Sequence, residues 1–211
     1  MRNNLLTVGI IDLKFNNLFS IYKAFVNLGY KTYVIPQKQK KINYDIIVIP
    51  GVGAFRSGMQ AIEKYNYKDK LLDYSEKKDS FIYGICLGMQ LLFEKSYEFG
   101  CTDGLGFIKG KVIKFNKNLK LKTNIGWNKI YISSSNLNSK FKKYDDHYFY
   151  FVHSYYAEPS EKKDILALSK NERIKFTSIV QKNNILGSQF HPEKSGKMGL
   201  DFLDTLYRFK D

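Results

Sequence analysis

Three features predict an α/β fold with a mostly parallel central sheet flanked by helices and a strand-rich, mixed C-terminal half. Strand-like and helix-like patterns alternate through the first half of the chain. Cys86 stands between two glycines where an apolar strand gives way to a helical pattern. Beyond Gly104 the rhythm changes to closely spaced strand-like runs. The 211 residues suffice for one substantial core, and residues 1–211 are expected to form a single domain.

Residues 6–12, short, apolar and rich in β-branched side chains, read as a first strand buried on both faces. Leu18, Ile21, Tyr22, Phe25 and Leu28 then recur at helical spacing, and Gly29 supplies the stop. A second strand covers residues 31–35 and ends at Pro36. A third covers 45–49 and runs into Pro50-Gly51-Val52-Gly53, after which Met59 and Ile62, then Leu71 and Leu72, mark helices. Repetition of this strand–helix unit implies parallel strands, and places Cys86 at the carboxyl end of the next one, the edge where open α/β sheets bind ligands. In the second half, strands are expected over residues 111–115, 127–132, 148–156, 165–168, 176–181 and 185–190, with a closing helix over 195–209. The polar segment 133–139 reads as a mobile surface loop.

The composition narrows the function classes. A hydrophobic fraction of 44% excludes a disordered chain, and no apolar run reaches the roughly 20 residues of a membrane span. Residues 1–4 lead into a strand without a signal-peptide pattern, so a cytoplasmic location is expected. The net charge of +14 comes from lysines scattered among asparagines and tyrosines; it reads as a solvated basic surface rather than a nucleic-acid stripe. Attraction of a phosphorylated substrate or an acidic protein is the functional alternative. Cys86 and Cys101 are both expected as thiols. Neither nucleic acid nor membrane is expected as a partner, and no cofactor or metal is expected.

The chemistry gathers around Cys86. Gly84 and Gly88 remove the side chains that would crowd a sharp turn, giving the nucleophile-elbow pattern with sulfur in place of oxygen. Backbone N–H groups at the start of the following helix favour the thiolate. A thiolate needs a proton-transfer partner, and His191-Pro192-Glu193 follows the last strand. Pro192 biases His191 toward extended geometry, which lets imidazole and carboxylate lie side by side. An oxyanion would take N–H groups from Leu87, after the cysteine, and from Val52 or Gly53 in the glycine loop.

The run Gly84-Ile85-Cys86-Leu87-Gly88-Met89-Gln90-Leu91-Leu92-Phe93-Glu94 with His191-Pro192-Glu193 resembles the triad-type (class I) glutamine amidotransferases. Residues 50–53, Phe55, Gly58-Met59, Ile125-Gly126-Trp127-Asn128, residues 150–155 and Lys194-Ser195 extend the resemblance to the glutaminase subunits of imidazole glycerol phosphate synthases. It covers nearly the whole chain. The resemblance implies the three-layer fold of that class, a Cys86–His191–Glu193 triad, and a glutamine site formed by Gly51, Gln90, Glu98, Ser154 and Tyr155. It further implies that ammonia passes to a (β/α)8-barrel cyclase subunit in a heterodimer, toward which Trp127, Asn128, His153 and Lys194 would lie. Substrate on that partner would activate hydrolysis by reorienting the Val52 peptide. The chain departs from the family pattern at Phe15-Asn16, and at Thr123-Asn124 where Pro-His is usual. Both departures bear on the ammonia acceptor, for which a nucleotide-linked or surface-polysaccharide sugar is the alternative.

Overall fold

The computed structural model describes residues 6–14, 18–39, 41–77, 79–115, 123–133, 139–171 and 174–206. The first strands and helices follow the reading closely: β1 (Thr7–Ile11), α1 (Leu18–Asn27), β2 (Lys31–Ile35), β3 (Ile46–Ile49), α2 (Phe55–Lys64), α3 (Tyr67–Ser75), β4 (Ile82–Ile85) and α4 (Leu87–Leu91). Then come β5 (Phe93–Ser96), β6 (Thr102–Asp103), β7 (Ile108–Lys114), β8 (Asn124–Ile132), α5 (Ser139–Lys142), β9 (Tyr148–His153) and β10 (Tyr155–Pro159). The chain continues through β11 (Ile165–Asn171), β12 (Ile174–Lys182), β13 (Ile185–Ser188) and α6 (Gly196–Thr205). Phe209, Phe15-Asn16 and most of the 133–139 loop lie outside the described residues.

Among the described residues the main sheet has nine strands in the order β2-β1-β3-β4-β13-β12-β11-β8-β9. Pairing is parallel from β2 to β13 and antiparallel from β13 to β9. A second sheet runs β10-β7-β5-β6. The apolar stretch 148–156, expected as one strand, is divided at Ser154 between the two sheets. The run of aromatic and β-branched residues is interrupted only at His153-Ser154, and that interruption does not by itself announce a change of partner.

Alternation along the central strands sends side chains to two separate cores, and this makes three layers. Ile10, Val48, Tyr83 and Ile85 face α1 and α6 through Ile21, Phe25, Phe202 and Leu203. Ile11, Ile47, Ile49 and Ile82 face α2 and α3 through Phe55, Met59, Ile62 and Leu71. Each such side chain, fully removed from water, contributes about 1.5–3 kcal/mol.

The site follows from one topological fact. The last strand, β13, does not join an edge but inserts beside β4, with Gly187 opposite Gly84 and Ser188 opposite Ile85. On the other side β3 pairs with β4, Ile49 opposite Gly84. Three adjacent parallel strands therefore end together. The glycine loop, Cys86 and the segment leading to His191 emerge at one place although they lie far apart in the chain.

Candidate active site

Cys86 occupies the elbow between β4 and α4 with φ 53° and ψ −106°, a conformation that costs a non-glycine residue about 1–3 kcal/mol. Neighbouring strand ends hold it there: its N–H donates to the Ser188 carbonyl at 2.7 Å, and its own carbonyl accepts from Gln90 N–H at 3.2 Å. The glycines are required by close approach. A Cβ on Gly88 would lie 1.7 Å from the Ile49 carbonyl oxygen, and one on Gly84 would lie 2.6 Å from that of Gly88. Helix α4 has only five residues, so the dipole expected to favour the thiolate is short.

His191 is extended (φ −98°, ψ 97°), and Pro192 opens the turn after it. Its Nδ1–H donates to Glu193 Oε1 at 2.8 Å, with both side chains withdrawn from solvent. Its carbonyl accepts from Ser195 Oγ at 2.7 Å, and that oxygen accepts from Tyr150 N–H at 3.0 Å, fixing the turn to β9. The other ring nitrogen, Nε2, is buried without a hydrogen-bond partner among the described residues. Burial alone would depress the His191 pKa, but the charge and hydrogen-bonding influence of Cys86, followed by those of Glu193, outweigh it and push the imidazole up to about 10. The raised pKa suits an imidazolium at neutral pH.

The oxyanion side is in a different state. Leu87 N–H, the expected first donor, points at the Gly51 carbonyl oxygen 3.3 Å away and is occupied. Because N–H and C=O of a trans peptide point in opposite directions, the Val52 N–H of the same Gly51–Val52 peptide is turned away from Leu87. Gly51, expected among the glutamine-binding residues, spends its carbonyl on the Leu87 N–H and is not among the residues lining the cavity beside the sulfur. Gly53 follows with φ 106°, which leaves the loop free to take more than one path.

Beside the sulfur lies a cavity of about 410 Å³ lined by Val52, Gly53, Cys86, Leu87, Gln90, Glu98 and Phe99, and by Lys114, Thr123 and residues 152–155 on the opposite side. All expected glutamine-site residues except Gly51 are thus brought together. Glu98 and Lys114 give the cavity one anionic and one cationic side chain. Glu98 Oε2 accepts from Phe55 N–H at 2.6 Å, supplying α2 with the cap that Ala54 lacks. Lys114 lies with its ammonium 5.7 Å from the centre of the Tyr155 ring. The sequence reading passed over Lys114 and Gln189. The first was hidden as an alternating charge on a strand; the second stood immediately before Phe190-His191 but carried no chemistry of its own.

The residues expected to face a partner divide. Trp127 is 53% exposed, its strand neighbour Ile125 is 65% exposed, and Lys194 is exposed. His153 does not belong with them: it is buried in the cavity wall, and desolvation lowers its pKa to about 4. Its Nδ1–H donates to the Tyr155 carbonyl at 2.8 Å and its Nε2 accepts from Asn124 Nδ2 at 2.9 Å. Asn128 is half-buried and donates inward to Asn124 Oδ1 at 2.9 Å. Asn124, one of the two departures, is thus a buried bridge, while Thr123 reaches the cavity and shares a hydrogen bond with Ser154 Oγ at 2.9 Å.

The family described as glutamine amidotransferase class-I matches residues 10–205. Imidazole glycerol phosphate synthase subunit HisH of Carboxydothermus hydrogenoformans is 41% identical, covering 93% of this chain and 96% of that protein. The protein of the same name from Chlorobaculum tepidum is 39% identical, over 96% of this chain and 100% of the relative, and that of Bacillus subtilis is 37% identical, over 93% of each. Among solved structures, one titled PurLQS from Thermotoga maritima superposes with a TM-score of 0.75 at 15% identity, covering 99% and 100% of the two chains, a likeness of fold. The chain therefore belongs to the class-I glutamine amidotransferases and, within them, to the family of imidazole glycerol phosphate synthase subunit HisH.

Proposed function

We propose that this chain is the glutaminase subunit of an imidazole glycerol phosphate synthase, with Cys86 as nucleophile, His191 as proton carrier and Glu193 as the group that orients it. The observation that carries the reading is a cysteine on a strained elbow, served by a buried His–Glu pair, in the wall of a cavity holding one side-chain anion and one cation. Glutamine is a zwitterion ending in a carboxamide. Glu98 takes its ammonium and Lys114 its carboxylate, and the amide carbon comes to the sulfur.

The Cys86 thiolate attacks that carbon, and the electron pair of the carbonyl moves onto oxygen. As the tetrahedral intermediate collapses, the C–N bond breaks, His191 Nε2–H protonates the leaving nitrogen, and ammonia departs from a γ-glutamyl thioester. Water then attacks the thioester while Nε2 takes its proton. Collapse of the second intermediate breaks the C–S bond and releases glutamate, restoring the thiolate–imidazolium pair. Both intermediates carry an oxyanion, for which Leu87 N–H and Val52 N–H become available once the Gly51–Val52 peptide turns over. The exposed Ile125, Trp127 and Lys194 support docking of the barrel cyclase on this side of the molecule, where ammonia would be received.

The test is glutamate release from glutamine by the chain alone and with its cognate barrel subunit, with and without the ribonucleotide intermediate of the imidazole pathway. Strong stimulation by that ligand in the complex, abolished in Cys86→Ala with the fold retained, is expected. Activity unchanged in Cys86→Ala sinks the mechanism. A complex that forms but ignores the ribonucleotide keeps the glutaminase and redirects the ammonia to an activated sugar.

A further inference from the structure

Gln189 is fully buried at the end of β13, between the cavity wall and the nucleophile. Its side-chain amide touches two groups: Oε1 accepts from Gln90 Nε2 at 3.0 Å, and Nε2 stands 3.6 Å from Cys86 Sγ. Which end of a glutamine amide faces which neighbour is decided by the network around it. Here a backbone atom decides it. The Tyr155 carbonyl can only accept, and it lies 2.9 Å from the Gln90 amide, so that end of Gln90 is the NH2. The same nitrogen is the one that meets Gln189, so the Gln189 atom it meets is the oxygen. The Gln189 NH2 is then forced toward the sulfur. His153 Nδ1–H donates to the same Tyr155 carbonyl at 2.8 Å and fixes the origin of the chain.

We propose that Gln189 is a catalytic residue that holds the Cys86 thiolate by donating an N–H to Sγ, its polarity set by a one-way relay from the Tyr155 carbonyl through Gln90. The proposal rests on Cys86 being the nucleophile. A second N–H donor beside His191 has a task at the sulfur, because the Val152 carbonyl at 3.9 Å accepts only from the neutral thiol and so works against the thiolate. With a helix of only five residues behind the elbow, a side-chain donor opposes that carbonyl where the dipole is weak. The titratable groups around the sulfur are His191 with Glu193 behind it, and His153, Glu98 and Lys114 along the cavity. Gln189 adds a donor that does not titrate, so it favours the thiolate at every pH and gives up no proton when ammonia leaves.

The experiment follows alkylation of Cys86 by iodoacetamide across pH, in a Cys101→Ser background because Cys101 is an exposed thiol. Gln189→Met keeps length without a donor, and Gln189→Glu keeps shape while replacing the NH2 by a carboxylate oxygen. Both are expected to slow alkylation at pH 7 about tenfold, as befits the loss of one hydrogen bond to a charged group, and to move the pH profile upward. Glutaminase kcat in the complex should fall by a similar factor with the glutamine KM unchanged. A residue that merely packs would lower the melting temperature and leave the profile where it is. An unmoved profile in a folded variant overturns the proposal. Should both variants fail to fold, the side-chain N–H signals of Gln189 in the unaltered chain decide: they must shift when Cys86 is alkylated, and their indifference is the overturning result. If the unaltered chain releases no glutamate in the complex, the glutaminase reading itself fails, an outcome separate from either of these.

Discussion

The proton-transfer side of the site and the oxyanion side are built from neighbouring strand ends, yet one is assembled and the other is not. His191 and Glu193 are joined at 2.8 Å with both side chains withdrawn from solvent, on a turn tied to β9. Leu87 N–H is taken by Gly51 at 3.3 Å, longer than the usual 2.9–3.0 Å of a backbone bond. The difference lies in what each side must do. A triad whose members come from separate strand ends gains from rigidity, whereas a glycine loop that stores its donor can be released by a partner. Such a bond is worth about 0.5–1.5 kcal/mol net, so a modest difference in partner affinity for the two loop states moves the population. Each donor regained contributes about 10²–10³ in rate. Under the proposed function, a small conformational free energy would thus gate a large catalytic one, so that ammonia would be made only when an acceptor is in place.

Breaking the assembled side should have the largest effect. Glu193→Gln keeps the volume but removes the carboxylate that, after Cys86, helps hold His191 protonated and keeps its ring aligned; kcat in the complex is expected to fall about a thousandfold, with KM little changed. Steady-state glutamate release measures it, and a loss below tenfold would show that His191 does not need its partner. The second prediction concerns the occupied side. Stimulation of the chain by its ligand-bound partner should be at least about a hundredfold, the smallest share of one regained oxyanion donor, and should appear in kcat. At the same time the Leu87 amide should change its hydrogen-exchange protection while those of Cys86 and His191 do not. Equal changes at all three would mean that the whole site reorganises and the contrast is wrong.

The assembled side was largely legible in the residues, because it depends on residue type and order. Glycines two positions either side of Cys86 announce a close approach, which the Ile49 and Gly88 carbonyls confirm in space. The apolar runs placed β2 at its observed bounds and β4 directly before Cys86. What escaped were facts about pairing and orientation. Between Tyr148 and Pro159 only Ser154 breaks the strand pattern, and a single serine does not tell that β9 and β10 belong to different sheets. The direction of the Gly51–Val52 peptide is not encoded locally, since glycine permits both orientations. His153 was expected toward the partner because the family resemblance implied it, and nothing local to the residue marks it as buried. It lies inside because Asn124 and the Tyr155 carbonyl satisfy both ring nitrogens.

That burial gives a third prediction, on stability. The His153 pKa is lowered from 6.5 to about 4, mainly by desolvation, so between those values the unfolded chain binds a proton that the folded chain refuses. Stability from this residue is intact above pH 6.5 and is lost as pH falls toward 4, by roughly 2 kcal/mol at pH 5. His191 has the opposite sign: with its pKa raised to about 10, its contribution is complete below pH 6.5 and fades as pH rises through 10. The acid-side loss therefore belongs to His153. His153→Phe, placed among Phe115, Phe151 and Phe176, should be less stable at pH 7 but lose roughly 2 kcal/mol less than the unaltered chain on going to pH 5, as read by urea unfolding. An identical pH dependence in the two proteins would mean that His153 is protonated inside the fold.

The smallest effect is expected at Lys114, and it separates substrate holding from both halves of the site. Lys114 is exposed, its ammonium lies over the Tyr155 ring, and it lines the same cavity as Glu98. An ion pair with the substrate carboxylate at such a wet position is worth about 1 kcal/mol or less, so Lys114→Met should raise the glutamine KM about fivefold and leave kcat alone. The same number would result if the lysine only steadied Tyr155. A glutamine analogue without the α-carboxylate, 4-aminobutanamide, distinguishes the two. If Lys114 holds the carboxylate, the substitution leaves binding of the analogue to Cys86→Ala protein unchanged while glutamine weakens. If Lys114 acts through the ring, both ligands weaken together, and the electrostatic match between cavity and zwitterion must be carried by Glu98 and the backbone.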